Sequence, residues 1–435
     1  MPKLAIKGGN AVRSRPFTQW PICDAKDIER VTKVIKSGDW SYHAKKHEMQ
    51  NEFEDRFSNF QGTKYSVCTS SGAAALLTSL RAAGVRIGDE VIVPALTFAA
   101  TASAAMLAGA LPIIVDVDPE TYCIDVQKVE EAITEKTRAI IPVHLYSSIA
   151  DMDAISKVAE ENNLLVIEDC AHAHGATWQG KGTGSLGNLG CFSFQQSKIM
   201  SAGEGGLITT NSKKNEELCR SFVDCGRVRK DDKHSQETLG WNCRMTEFQA
   251  AVLLGQLERL PDQIKLREKN AKYLSDKLKR IDGISLMRED DRVTTRSYYY
   301  YIFRYNSESF ANASKKRFIL AMYFEGMPCE DIYSPIYKTP LLKIHSDNWP
   351  LAWAKNQTID FQSISCPVAE KASNDEGVAI SQVALLGEKE DIDDIITAIE
   401  KIKDNANELH GTDSTLLKAT RAARQYFSKK LSKRD

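Results

Sequence analysis

Three short segments put reactive side-chain types where chemistry could use them. Residues 166–170 read Val-Ile-Glu-Asp-Cys, an apolar run that delivers Asp169 at its end, with His172 and His174 just beyond. A carboxylate fixed there could hold a protonated heterocyclic nitrogen in a partly dry site. The same residues could instead cap a strand end or bind a metal, but no further ligand of matching spacing accompanies them, so no metal is expected. Residues 190–198 read Gly-Cys-Phe-Ser-Phe-Gln-Gln-Ser-Lys, followed by Gly203-Glu204-Gly205-Gly206. A lysine in a polar loop behind an apolar run can serve as an amine that sheds its proton and forms a Schiff base. A lone lysine is usually surface charge. What singles out Lys198 is its place 29 residues after Asp169, with Ser193 able to meet a phosphate. The third segment, Thr69-Ser70-Ser71-Gly72-Ala73, precedes an Ala-rich stretch. Small residues at a helix start let backbone N–H groups approach an anion, although a tight strand-to-helix turn would use the same residues.

These segments need a scaffold. Short β-branched runs at 65–68, 91–94, 111–116, 139–144, 164–169, 190–194 and 206–210 alternate with helical stretches such as 73–83 and 152–162. That rhythm predicts an α/β fold with a mostly parallel sheet covered on both faces, whose ligands sit at strand ends. Helix 246–260 is expected to end at Pro261. Beyond it come an amphipathic helix over 264–281, an aromatic strand over 298–305, and helices over 315–325 and 389–403. The expected organisation is a large α/β domain over 1–260, a smaller α+β domain over 261–410 and a basic helical extension over 411–435. From Lys418 that extension holds seven basic residues and one acidic.

Composition narrows the classes. The chain has 435 residues, 57 Lys+Arg against 58 Asp+Glu, and 42% hydrophobic residues. A near-zero charge lacks the basic excess of a nucleic-acid binder. Residues 91–115 carry no charge and are long enough to span a bilayer, but Pro94, Gly109 and Pro112 interrupt them. They read as strand, helix, strand in a buried layer, so no membrane partner is expected. Met1–Gly9 shows no secretory signal. The ten scattered cysteines, without a CxxC pair, are expected to be reduced and mostly buried, which fits a cytoplasmic protein.

Taken together, Asp169, His172, Ser193 and Lys198, with residues 239–246 reading Leu-Gly-Trp-Asn-Cys-Arg-Met-Thr, resemble the DegT/DnrJ/EryC1/StrS aminotransferases. The resemblance runs from about Leu4 to about Lys403. It implies the fold-type I architecture of pyridoxal 5'-phosphate enzymes acting on keto-sugars and keto-cyclitols. It also implies a ping-pong amino transfer through a Schiff base, with a pyridoxamine 5'-phosphate form between half-reactions. By position, Lys198 would bond to the cofactor and shuttle the proton, and Asp169 would pair with the ring nitrogen. Ser71, Gly72, Ala73 and Ser193 would hold the phosphate, Phe98 would stack on the ring, and His172 would lie beside it. Asn242 matches a residue that reaches the phosphate of a neighbouring subunit, which implies a homodimer with shared active sites.

Three positions depart from the family pattern. The phosphate loop often reads Asn-Gly-Thr where this chain has Ser71-Gly72-Ala73, and glutamine is common where His172 stands. Within the family, the opening residues 4–9, the segment 335–337 and residues 366–370 resemble the inosose aminotransferase and aminohydroxybenzoate synthase branch. That branch often takes glutamine as amino donor. Ser41, Tyr42, Tyr146 and Tyr337 match substrate-facing loops and could hydrogen-bond a polyol. The rivals are a dehydratase or aromatising synthase on the same fold, or a catalytically idle cofactor-binding partner or regulator. The presence of Lys198 favours amino transfer over dehydration.

Overall fold

A computed structural model describes residues 2–42, 48–230, 233–342 and 361–410. Seven strands form the central sheet: β1 Tyr65–Thr69, β2 Glu90–Pro94, β3 Leu111–Val115, β4 Thr137–Ile140, β5 Leu165–Asp169, β8 Leu189–Ser193 and β9 Gly206–Thr210. Their order is β1-β9-β8-β5-β4-β2-β3. Pairings from β8 through β5, β4 and β2 to β3 are parallel, while β9 runs antiparallel to both its neighbours. The strands are almost wholly buried because helices cover both faces, and their polar residues are mostly small hydroxyls such as Ser66, Thr69, Thr209 and Thr210. Small side sheets are formed by β6 Thr177–Trp178 and β7 Lys181–Gly182 with β13 Val293–Thr295, and by the hairpin β10 Arg227–Lys230 and β11 Lys233–Gln236.

The uncharged run of 91–115 is β2, helix α4 Ala100–Leu107 and β3, with the two strands paired in parallel. Among the described residues no helix is long and apolar enough to cross a membrane. No disulfide joins the ten cysteines, and eight of them are buried.

A second sheet, β12 Ile284–Leu286, β14 Tyr300–Tyr305, β16 Gly377–Ser381 and β15 Cys329–Asp331, is wholly antiparallel. Its aromatic face, with Phe303 and Tyr305, packs on helices α9 Lys315–Phe324 and α11 Lys389–Asp404 in a core of its own.

Two expectations fail here. The helix beginning at Glu247 does not stop at Pro261 but runs to Leu278 as one 32-residue element, α8. Proline forfeits one backbone bond and crowds the preceding turn. Leu260 and Ile264 are nevertheless buried on either side, and tertiary packing carries the helix through. A boundary after residue 260 therefore falls inside a helix. Side chains up to Ile264 serve the first core, and those from Ala271 serve the second.

The chain's start also belongs with the second core rather than the first. Leu4 is buried there. Glu325 accepts from the Ala5 and Val12 N–H groups at 2.9 and 3.0 Å, and Arg13 pairs with Asp391 and Asp394, both at 2.7 Å. The basic extension expected over 411–435 lies outside the described residues.

Candidate active site

Four structural elements converge on the strand-end edge of the central sheet. Strand β5 ends on Asp169 and β8 on Ser193, and the two run side by side with Asp169 opposite Cys191. Beyond β1, Ser71 caps helix α3 Gly72–Ala82, its hydroxyl accepting from the Ala74 N–H. The cap leaves the N–H groups of Gly72 and Ala73 among those that an α-helix cannot satisfy internally. Helix and strand meet very closely, since a Cβ on Gly72 would stand 2.6 Å from the Ser193 Cβ. Only glycine permits that approach, and it sets the first N–H groups of α3 beside the Ser193 side chain.

The result is a cavity of about 440 Å³ lined by Ser71, Gly72, Ala73, Phe98, Asp169, His172, Ser193 and Lys198. The structure thus brings together eight residues expected from sequence. Its donors match a cofactor bearing a phosphate and a basic ring nitrogen. The helix start and Ser193 offer an anion cradle, Asp169 supplies a buried carboxylate, and Lys198 supplies an amine.

Electrostatics follow from burial. Asp169 is enclosed, which pushes its carboxyl above the usual carboxylate range, against the Ala171 N–H, the Thr101 hydroxyl and the Lys198 charge. Thr101 donates to its Oδ2 at 3.0 Å and Ala171 to its Oδ1 at 3.1 Å, so the carboxylate has a fixed orientation. Burial lowers the Lys198 pKa to about 8, with Asp169 opposing. That brings a lysine into the range where it can give and take protons near neutrality. The Nζ lies 4.4 Å from the centre of the Tyr299 ring.

His172 is held as a neutral ring. Burial and the nearby Lys198 depress its pKa well below the usual value. Its Nδ1 accepts the Tyr146 N–H at 3.1 Å, so the ring's one proton sits on Nε2. His174 points elsewhere, pairing through Nε2 with the Ser193 carbonyl at 2.8 Å. The two histidines therefore do not share a ligand position. Another group of metal-ligating types, His144, Glu168 and Cys170, does lie together, fully buried. Its Glu168 carboxylate is already taken by the Gly184, Leu186 and Gly187 N–H groups and by His144.

The remaining expectations are redistributed. Tyr146 lies behind His172 rather than in the cavity, with its hydroxyl accepting the Tyr333 N–H at 2.7 Å. Tyr337 is buried, its hydroxyl donating to Glu370 and accepting from the Cys366 N–H. Both hydroxyls are thus engaged within this chain, and neither side chain lines the cavity. Tyr42 lines a separate cavity with Glu54, Arg220 and Asp224, and Ser41 precedes it in the same turn. Asn242 is exposed, pairs with Asp224 across an isolated bridge and does not line the cavity.

Tyr299 and Tyr333 also line the cavity. The aromatic run 298–305 was visible in sequence as a strand, but nothing local to it points towards Lys198. Thr101, which orients Asp169, gave no signal beyond its place in the uncharged run.

Comparison with known proteins agrees with this geometry. The model of the DegT/DnrJ/EryC1/StrS aminotransferase family matches residues 21–384. The L-glutamine:2-deoxy-scyllo-inosose aminotransferase of Micromonospora echinospora is 36% identical over 428 residues, covering 94% of this chain and 100% of that protein. The crystal structure of 3-amino-5-hydroxybenzoic acid (AHBA) synthase superposes with a TM-score of 0.78 at 32% identity, over 90% of this chain and 99% of that one. The Streptococcus pneumoniae protein Spr1654, solved in PLP and PMP forms, superposes at 0.77 and 0.78 with 26% and 25% identity, over 91% of this chain and 100% and 99% of those chains. With a family model spanning most of its length and relatives matched almost end to end, the chain belongs to the DegT/DnrJ/EryC1/StrS aminotransferase family.

Proposed function

We propose that this aminotransferase uses pyridoxal 5'-phosphate to move an amino group from L-glutamine to a keto-cyclitol of the scyllo-inosose type, or to a closely related keto-sugar. The observation that carries the reading is the convergence of Lys198, Asp169 and the α3 helix start on one cavity. The scyllo-inosose aminotransferase name of a 36% identical relative supports the donor and acceptor class. The bound cofactor would supply an electron sink for a carbon that loses a proton.

The chain's own residues supply the rest. The Gly72 and Ala73 N–H groups and Ser193 would hold the phosphate, with the helix dipole favouring negative charge there. Asp169, fixed by Thr101 and Ala171, would hold the ring nitrogen in its protonated state, a cation that offsets the cost of the buried carboxylate. Phe98, which is exposed at the cavity mouth, would cover one ring face. His172, whose Nε2–H faces the Tyr333 hydroxyl at 3.4 Å, would lie beside the cofactor ring. Lys198, with its pKa near 8, would carry the proton between donor carbon and cofactor. Enclosure of the amine by Tyr299 keeps water from competing for that proton.

The same reading extends to a homodimer with shared sites. Asn242 does not line its own cavity and follows the exposed apolar residues Leu239 (84% exposed) and Trp241 (75% exposed), a flank suited to a second copy. It would reach the phosphate of the neighbouring subunit. An idle cofactor-binding partner is not favoured, because Lys198 and Asp169 are both in place, and the match to relatives named as L-glutamine:scyllo-inosose aminotransferases speaks for amino transfer over an aromatising synthase.

The experiment is product analysis. Purified protein with pyridoxal phosphate and glutamine, offered scyllo-inosose and a sugar-nucleotide ketone, is expected to yield the amine by mass spectrometry. Loss of water from the ketone without gain of nitrogen would reverse the assignment.

A further inference from the structure

Arg267 is a buried cation that no carboxylate answers among the described residues. It lies on α8 with no exposure to solvent. Among the described residues its Nε and Nη1 have no hydrogen-bond partner. Burial alone lowers its pKa to about 9. Its guanidinium rests 5.7 Å from the centre of the Trp20 ring, and the hydrogen bond it does make is from Nη2 to the Gln382 Oε1. A buried, largely unpaired charge is destabilising, and an apolar side chain of similar volume would serve the core better. Stability therefore does not account for it.

Its one bond has a directional consequence. The two ends of the Gln382 amide have the same shape and opposite hydrogen-bonding character, and an arginine can only donate. Arg267 thus fixes the oxygen towards itself and turns the Nε2 the other way. There Nε2 donates to the Ser197 carbonyl at 3.2 Å and reaches the Lys198 carbonyl at 3.4 Å. The preceding carbonyl, Gln196, accepts from the Trp20 Nε1 at 3.0 Å. Three successive carbonyls of the lysine loop are therefore held by side chains from outside it. Gln382 is buried and immediately follows β16, so this contact ties the antiparallel sheet of the second core to the lysine loop of the first.

We propose that Gln382, oriented by Arg267, is a positioning residue for Lys198, fixing the loop so that the amine points into the cavity over Tyr299. The inference rests on the reading of Lys198 as the reacting amine. Loss of the Nε2 donor frees two carbonyls and lets the loop turn, and small misplacements of a reacting group are costly to rate.

The test uses the holoenzyme and the variants Gln382→Leu, Arg267→Met and Arg267→Lys. Three quantities are measured: kcat and KM for glutamine, the pH midpoint of the lysine-bound cofactor absorbance, and the melting temperature. Gln382→Leu is expected to lower kcat by about tenfold or more with KM changed by less than about twofold, and to shift the pH midpoint. Arg267→Met should do the same although it removes a buried charge and folds at least as stably. Arg267→Lys, which keeps a donor, should fall between it and the wild type. Wild-type kcat and pH midpoint in both Gln382→Leu and Arg267→Met would overturn the proposal, leaving a packing role only. Should Gln382→Leu fail to fold, the two Arg267 variants decide the matter alone. A separate Lys198→Ala control that retains the lysine-bound absorbance would fault the reading of Lys198, not the role of Gln382.

Discussion

The Lys198 Nζ stands 4.4 Å from the centre of the Tyr299 ring, and the Tyr299 hydroxyl meets the hydroxyl of Ser197, the residue before that lysine, at 2.7 Å. One tyrosine from the antiparallel half of the molecule thus both walls in the amine and anchors its loop. The two contributions can be separated. Tyr299→Phe keeps the ring and forfeits one hydrogen bond, worth about 1 kcal/mol or roughly fivefold in kcat/KM. Tyr299→Ala also opens the cavity to water and should cost at least about 50-fold. Steady-state kinetics of the two variants check this, and equal losses would remove the wall from the account.

Burial of Lys198 has a consequence for stability in the cofactor-free protein. Its folded pKa, about 8, lies below the unfolded value of 10.5. The unfolded chain therefore binds more protons across that interval, and stability gained from this group rises as pH climbs from about 8 to 10.5. At pH 7 the buried ammonium costs about 3 kcal/mol. Cofactor-free Lys198→Met should accordingly be the more stable protein at pH 7 by up to that amount, and its advantage should shrink towards pH 10.5. Urea unfolding of both proteins at several pH values provides the measurement.

Gly72 is where the phosphate cradle is narrowest. An added methyl there would stand 2.6 Å from the Ser193 Cβ, so Gly72→Ala must push the start of α3 away from Ser193. Cofactor affinity, followed by fluorescence titration, is expected to weaken by about tenfold or more, while the melting temperature of the cofactor-free protein changes by only a few degrees.

His172 should stay neutral through mildly acidic pH. Burial lowers its pKa well below 6.5, and the Tyr146 N–H occupies Nδ1, so the imidazole remains the Nε2-protonated tautomer. Nitrogen NMR of labelled protein reads this directly at pH 5 to 7. His172→Gln, which keeps a donor at the same place, should retain activity better than His172→Ala.

Shared active sites predict complementation. If Asn242 serves the neighbouring subunit's phosphate, a heterodimer of Lys198→Ala and Asn242→Ala chains holds one site with both residues intact. Random re-pairing of equal amounts should therefore recover about a quarter of wild-type sites. Mixed samples no more active than the average of the two parents would argue that each site is built from one chain.

Much of this was legible in sequence, and the reason is local. Asp169 ends a strand with a clear β-branched run and Ser193 a short apolar one, and Ser71-Gly72-Ala73 opens an Ala-rich helix, so strand-end placement followed from the local pattern. The failures were tertiary. Pro261 is a helix breaker by its own chemistry, yet Leu260 and Ile264 are buried beside it and hold α8 continuous. Leu4 joins the second core from the opposite end of the chain. Tyr337 and Tyr146 carry the same side chain as Tyr299 and Tyr333, and only packing decides which pair lines the cavity. Arg267 and Gln382 lie 115 residues apart and reveal a shared role only once their side chains meet.

Everything else at the site depends on Lys198 being the reacting amine of an aminotransferase. The most direct test of that role is amino transfer from glutamine to scyllo-inosose by Lys198→Ala loaded with pyridoxal phosphate, read beside the visible absorbance of the bound cofactor. Loss of both the lysine-bound absorbance and the amine product is expected, with a fold intact by circular dichroism. A Lys198→Ala protein that makes the amine at the wild-type rate would contradict that role.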